Sequence, residues 1–214
     1  MPEGYNVTTM YPNYFQPQSN NPMEEVQQLA IAASARKTDS TRHKCFISYH
    51  VADLDEVKIF VDNFGEEFIP VTVGVTDEDD FIDSDNEDYI KGKIREEYLS
   101  NSTVTIVLLG AGTHGRKYVD WEISSSLRND PVNKRSGLLV LTLPSMGGTA
   151  ILPARVKDNW TQGNTNESYA LYRSTPELGD KQVLRDMIED AFTARTSKAH
   201  LVNNSRALKQ RNTN

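Results

Sequence analysis

The 214-residue sequence predicts an α/β domain, a parallel sheet with helices on both faces. Three observations predict it. Apolar runs of strand length recur at Lys44–Tyr49, Phe68–Val75, Val104–Leu109 and Gly137–Leu143. Helical patterns alternate with them, and crossovers of that length imply parallel strands covered on both sides. Val104–Leu109 is almost wholly apolar and flanked by turn signals, as a central parallel strand should be.

The elements follow in order. Residues 1–42 are rich in Asn, Gln, Pro, Ser and Thr and read as an N-terminal extension, with 1–22 too polar to fold. Met23–Lys37 is a helix by propensity, with Glu early and Arg-Lys late to suit the helix dipole, able to pack on the domain or on a partner chain. The domain proper spans 43–195 and opens with the first strand. Asp53 starts a helix with Glu56 in capping-box position; Leu54, Val57, Val61 and Phe64 repeat at helical spacing, and Gly65 stops it. Pro70 assigns the second strand to an edge or to a strand start. An acidic loop, Thr76–Asn86, leads to a helix over Glu87–Leu99 with Ile90, Ile94 and Tyr98 on one face. After the central strand come a glycine turn, the helix Arg116–Leu127 and the strand Gly137–Leu143. Beyond Pro144 the chain reads as polar and irregular until an amphipathic helix, Lys181–Ala194. Residues 196–214 read as a polar basic tail that frays.

Composition narrows the function classes. A single cysteine, Cys45, sits in an apolar run, which excludes a disulfide framework and reads as a small buried hydrophobe. No apolar run approaches the roughly 20 residues that span a bilayer, and the first residues lack a secretory pattern, so a cytoplasmic protein with no membrane partner is expected. The net charge of −7 is uneven: eight acids and no base lie between Asp77 and Asp88, and five bases and no acid lie from Arg195 onward. Both read first as solvated segments, and nucleic acid is not an expected partner. No metal is expected. The acidic loop lacks the glycine of a calcium loop in either register, and His50 and His114 lack a third ligand.

In open parallel sheets ligands bind beyond the carboxyl ends of the strands, near the point where strand order reverses. That rule selects Ser48–Asp53, the acidic loop and Gly110–Glu122. Gly110 to Gly115 matches G-x-G-x-x-G, yet the next strand ends Leu141-Thr142-Leu143-Pro144 without the acid that a dinucleotide fold uses on the ribose. The glycines read instead as a tight turn that lets backbone approach closely. Glu122 is the sharper candidate. At 100° per residue it lies about 60° from Val119, on the flank of the apolar stripe Val119–Ile123–Leu127, with Tyr118 and Ser126 a turn away. A partly buried carboxylate there can bind a sugar diol or stabilise a cationic sugar transition state. It can equally be an ordinary surface glutamate, or one paired with Arg116 or Lys117.

Four segments in order resemble the TIR (Toll/interleukin-1 receptor) domain superfamily, in its prokaryotic TIR-like branch of Thoeris anti-phage systems. Phe46-Ile47-Ser48-Tyr49-His50 resembles that branch's F-x-S-[FY]-H, and Asp53 its following aspartate. Thr105-Ile106-Val107-Leu108-Leu109-Gly110 resembles T-I-V-L-[IL]-G, and Arg116 to Ile123 resembles R-K-W-V-x-x-E-I. The resemblance covers 43–145 and extends more loosely to 195. It implies a flavodoxin-like TIR fold and an enzyme that cleaves NAD at the nicotinamide–ribose bond, as a glycohydrolase or an ADP-ribosyl cyclase making a nucleotide signal. The catalytic glutamate of the W-x-x-x-E pattern maps onto Glu122, and the family's aromatic onto Tyr118, where the usual tryptophan is a tyrosine, with Trp121 close by. Ser48, Tyr49, His50 and Asp53, and from the acidic loop Phe81 and Asp83, fall where the family's pocket is lined. NAD is then substrate, with no further cofactor. The implied partners are further copies of the chain, a phage-derived trigger and a nucleotide-sensing effector. Two rival readings stand beside this one: a catalytically silent interaction scaffold, and an enzyme like the nucleoside deoxyribosyltransferases.

Overall fold

The computed structural model describes residues 22–36, 41–73, 99, 101–130, 134–147, 150–177 and 179–213. The expected acidic loop, the helix Glu87–Leu99 except Leu99, and with them Phe81 and Asp83, lie outside the described residues. Five strands form one sheet: β1 (Lys44–Ser48), β2 (Ile69–Val73), β3 (Val104–Leu109), β4 (Gly137–Thr142) and β5 (Leu171–Ser174). Their order is β2-β1-β3-β4-β5 and every neighbouring pair is parallel. This is the flavodoxin order, and it reverses between β1 and β3. Pro70 sits in β2, an edge strand, where a missing amide is tolerated.

One face is covered by α1 (Pro22–Ser34), α2 (Leu54–Phe64) and α5 (Lys181–Ser197). Cys45, Ile47 and Tyr49 alternate onto this face beside Ile106 and Leu108 of β3. The helix before the domain is therefore part of its core: Val26, Ala30 and Ala33 are fully buried. Proline stands at its first position, where no amide bond is lost. Gly65 does not end α2 by turning left-handed. Its φ is −61°, and a β-carbon there would lie 2.6 Å from that of Ala33, so glycine lets α1 approach α2.

The other face carries α3 (Lys117–Leu127) and the short α4 (Ala154–Lys157), packed through Val119, Ile123, Leu127 and Val156 against Val107, Leu109 and Val140. The stretch after Pro144, read as irregular, contains α4 and β5. The strand Leu-Tyr-Arg-Ser is too short and too mixed to announce itself, because an edge position buries only part of it.

The tail does not fray. After α5, which reaches Ser197 rather than Ala194, residues 202–213 run as an extended strap along the outer surface of α3. Arg155 on α4 anchors it: the fully buried guanidinium donates to Asn204 Oδ1 and to the carbonyls of Arg206 and Ala207. Sequence reading saw a polar tail, whereas Asn204, Lys209 and Asn212 of that tail bond to α3 or α4.

Candidate functional site

The site forms where strand order reverses, above the ends of β1 and β3. β1 alternates Phe46 and Ser48 toward α3, and β3 alternates Thr105 likewise. Ser48 Oγ donates to Glu122 Oε2 at 2.5 Å. One turn on, Ser126 Oγ donates to the Glu122 carbonyl at 2.8 Å and lies 2.6 Å from Thr105 Oγ1. Two hydroxyls in the sheet thus meet two polar groups of the helix in an otherwise apolar layer. Glu122 is 1% exposed, so it faces the sheet and is not the surface glutamate that helical spacing also allowed.

Tyr49 follows Ser48 and is 3% exposed. Its hydroxyl makes no hydrogen bond in the structure. Burial first, and then the negative charge of Glu122, push its ionisation well above the usual tyrosine range, so the hydroxyl keeps its proton.

The next layer fixes the loops. Asp53 opens α2 but does not cap it. Its Oδ2 accepts from Thr113 Oγ1 at 2.9 Å, while Thr113 Oγ1 accepts from the Gly110 amide at 3.0 Å. Glu56 does not close a capping box either; its Oε2 accepts from the Ser145 amide at 3.0 Å. Tertiary partners across the top of the sheet win over the local cap. Burial raises the Asp53 carboxyl above its ordinary range, against the lowering effects of the Thr113 bond and the charges of His50 and Arg116. Gly110 is required here: a β-carbon would stand 2.0 Å from Asp53 Oδ1. At Gly112 a β-carbon would touch the His50 ring (3.3 Å) and the Arg116 guanidinium (3.2 Å), so both converge on this turn.

The structure joins Ser48 to Glu122, with His50 and Asp53 on the adjoining turn, while Tyr49 packs on the α1 and α2 face and feels the Glu122 charge without a hydrogen bond to it. On α3, Tyr118 lies one turn before Glu122 and Trp121 on the side turned to the strap. They pack edge to face, centroids 5.2 Å apart, in a buried cluster with Phe46, Leu99 and Leu208. The Lys117 ammonium lies 4.9 Å from the Tyr118 ring centroid. Trp121 Nε1 donates to the Lys209 carbonyl at 2.8 Å, which directs its polar edge to the strap. Sequence reading passed over Thr113, although a hydroxyl three residues past a strand-ending glycine is placed to accept that glycine's amide. Nothing local marks Arg155. Among the described residues no group of three or more His, Cys, Asp or Glu could hold a metal ion, and no helix is long and apolar enough to cross a membrane.

A five-stranded parallel sheet in flavodoxin order, with a buried glutamate on the helix after the third strand, defines the class as a TIR-like α/β domain. Residues 46–147 match the family described as Thoeris protein ThsB, TIR-like domain. The chain carries a TIR-like domain of the Thoeris type, a family of TIR-type defence proteins. The match begins in β1, includes Glu122, and stops before α4, β5, α5 and the strap. No curated protein and no solved structure matches the chain.

Proposed function

We propose that this domain cleaves NAD at the nicotinamide–ribose bond and makes a nucleotide signal for antiviral defence. The observation that carries the reading is Glu122, a carboxylate 1% exposed at the switch point of the sheet and fixed by the Ser48 hydroxyl. As the C1′–N bond breaks, the bonding pair goes to the pyridinium nitrogen, which leaves as neutral nicotinamide. Positive charge then develops on ribose C1′ and the ring oxygen. A dehydrated, preoriented carboxylate stabilises that charge far better than water does. No proton has to be delivered to the leaving group, so Glu122 acts in its ionised form. The cation is trapped by water, which loses a proton and yields ADP-ribose, or by a nitrogen of the same nucleotide, which yields a cyclic isomer. The Tyr49 hydroxyl, protonated and without a hydrogen-bond partner in the structure, supplies a donor to an oxygen of the sugar or phosphate.

Glu122→Gln keeps the side chain's size and removes its charge. Incubated with NAD and analysed by liquid chromatography and mass spectrometry, wild type should release nicotinamide. The variant should do so about 10²- to 10³-fold more slowly, the loss typical when one preorganised charge-stabilising group is removed. Retained turnover in a normally folded variant, or none in wild type with lysate of phage-infected cells added, would overturn the proposal. Assembly into homo-oligomers and an effector that senses the product belong to the same reading.

A further inference from the structure

Helix α3 is buried on both sides: every residue from Tyr118 to Leu127 is buried. The sheet covers one side and the strap covers the other. At 100° per residue, Lys117, Asp120, Trp121 and Ser124 fall within an arc of about 100°, centred about 150° from Glu122. All four are bonded to the strap, which runs antiparallel to the helix. The Ser124 carbonyl accepts from Asn204 Nδ2 at 2.9 Å. Asp120 Oδ2 accepts from the Lys209 amide at 2.9 Å, and Trp121 donates to the Lys209 carbonyl. The Lys117 amide donates to Asn212 Oδ1 at 2.8 Å. Leu208 is buried against Tyr118, Trp121 and Phe46.

The last of these polar contacts has a particular consequence. Arg116, the residue before α3, provides no side-chain cap. Asparagine is among the best caps for a helix start, and here it comes from 95 residues away. The seat for it is prepared: the Thr213 amide donates to the Gly115 carbonyl at 2.9 Å, and a β-carbon on Gly115 would stand 1.8 Å from the Thr213 carbonyl oxygen. The strap therefore fixes α3 both along its axis and about it, from the side opposite Glu122.

We infer that the strap positions Glu122 against Ser48, with Asn212 and Leu208 as positioning residues. This rests on the reading of Glu122 as the catalytic group. A displacement of about 1 Å at a reacting group costs on the order of 10²-fold in rate.

The test uses the full chain with Asn212→Ala, Asn212→Asp and Leu208→Ala, assayed well below their thermal midpoints. Asn212→Ala should lower kcat for nicotinamide release about tenfold or more with KM within about twofold. Asn212→Asp, which keeps an acceptor for the Lys117 amide, should restore it. Independently of turnover, the 13C carboxyl resonance of Glu122 should shift in Asn212→Ala and Leu208→Ala and return in Asn212→Asp. If wild type releases no nicotinamide, the enzymatic reading falls and the Glu122 resonance alone decides on the strap. An unmoved resonance in both Asn212→Ala and Leu208→Ala, with amide exchange in the first turn of α3 accelerated, would overturn the inference.

Discussion

Replacing Asp120 with alanine removes one half of an ion pair that water hardly reaches. The Arg155 side chain is 0% exposed and that of Asp120 is 8% exposed. The guanidinium binds the carboxylate through two bonds, Nε to Oδ1 at 2.9 Å and Nη2 to Oδ2 at 3.1 Å. Without Asp120 the arginine keeps its charge and its carbonyl partners in the strap but loses its counterion, and the Lys209 amide loses its acceptor. Stripping one partner from a buried pair costs about 3–5 kcal/mol, most of it the penalty of a buried uncompensated charge. For a chain of this size each kcal/mol lowers the midpoint by roughly 2–4 °C, so a drop of roughly 6–20 °C is expected in a thermal scan. The control is Asp158→Ala. It breaks the Arg206–Asp158 pair, whose side chains are 45% and 20% exposed, and exposed pairs contribute at most about 1 kcal/mol. If Asp120→Ala lowered the midpoint no more than Asp158→Ala, the argument that α4 and the strap are tied to α3 through a desolvated charge would be refuted.

Ser48→Ala removes the donor to Glu122 Oε2. A hydrogen bond to a charged group contributes about 1.5–3 kcal/mol, so turnover should fall about 10- to 100-fold in a nicotinamide-release assay; an unchanged kcat would show that the helix alone orients the glutamate. Asp53→Asn should raise stability at neutral pH. The folded carboxyl titrates above its unfolded value of about 3.9, so the folded state binds more protons in the window between the two. The Asp53 contribution is therefore most favourable below that window and is lost as pH rises through it. The urea midpoint of the variant relative to wild type should rise with pH across pH 3.5–7, and a difference independent of pH would refute this. Cys45 is fully buried and burial pushes its thiol far above the usual range, so a thiol reagent at pH 8 should label it only after denaturant is added. Labelling of the native protein at the rate of a free thiol would contradict the packing of β1.

Much of the frame was legible because its signals are local. Val104–Leu109 was readable to the residue because a strand buried on both faces has no polar position to blur it. Helix α3 was placed to within one residue because a glycine turn precedes it and an apolar stripe runs through it. The four short motifs marked the switch point, and Ser48 and Glu122 are hydrogen-bonded there. What failed has one cause in each case. Glu56 and Asp53 looked like a capping box because sequence shows only the neighbours along the chain; their oxygens take Ser145 and Thr113 instead. β5 was missed because it has four residues and half-buried sides.

The sequence by itself determined the alternation of strand and helix, the helix that carries Glu122, and the turn glycines, since periodicity and backbone freedom are properties of a few consecutive residues. Only the tertiary structure decided that Glu122 is dehydrated and held by Ser48, that Arg155 is a buried ion rather than a surface one, and that a polar tail covers a helix. Those outcomes depend on pairs 35 to 95 residues apart. A polar side chain reads the same in sequence whether its partner is water or a distant carbonyl; only folding selects between them, because burial makes the protein partner obligatory.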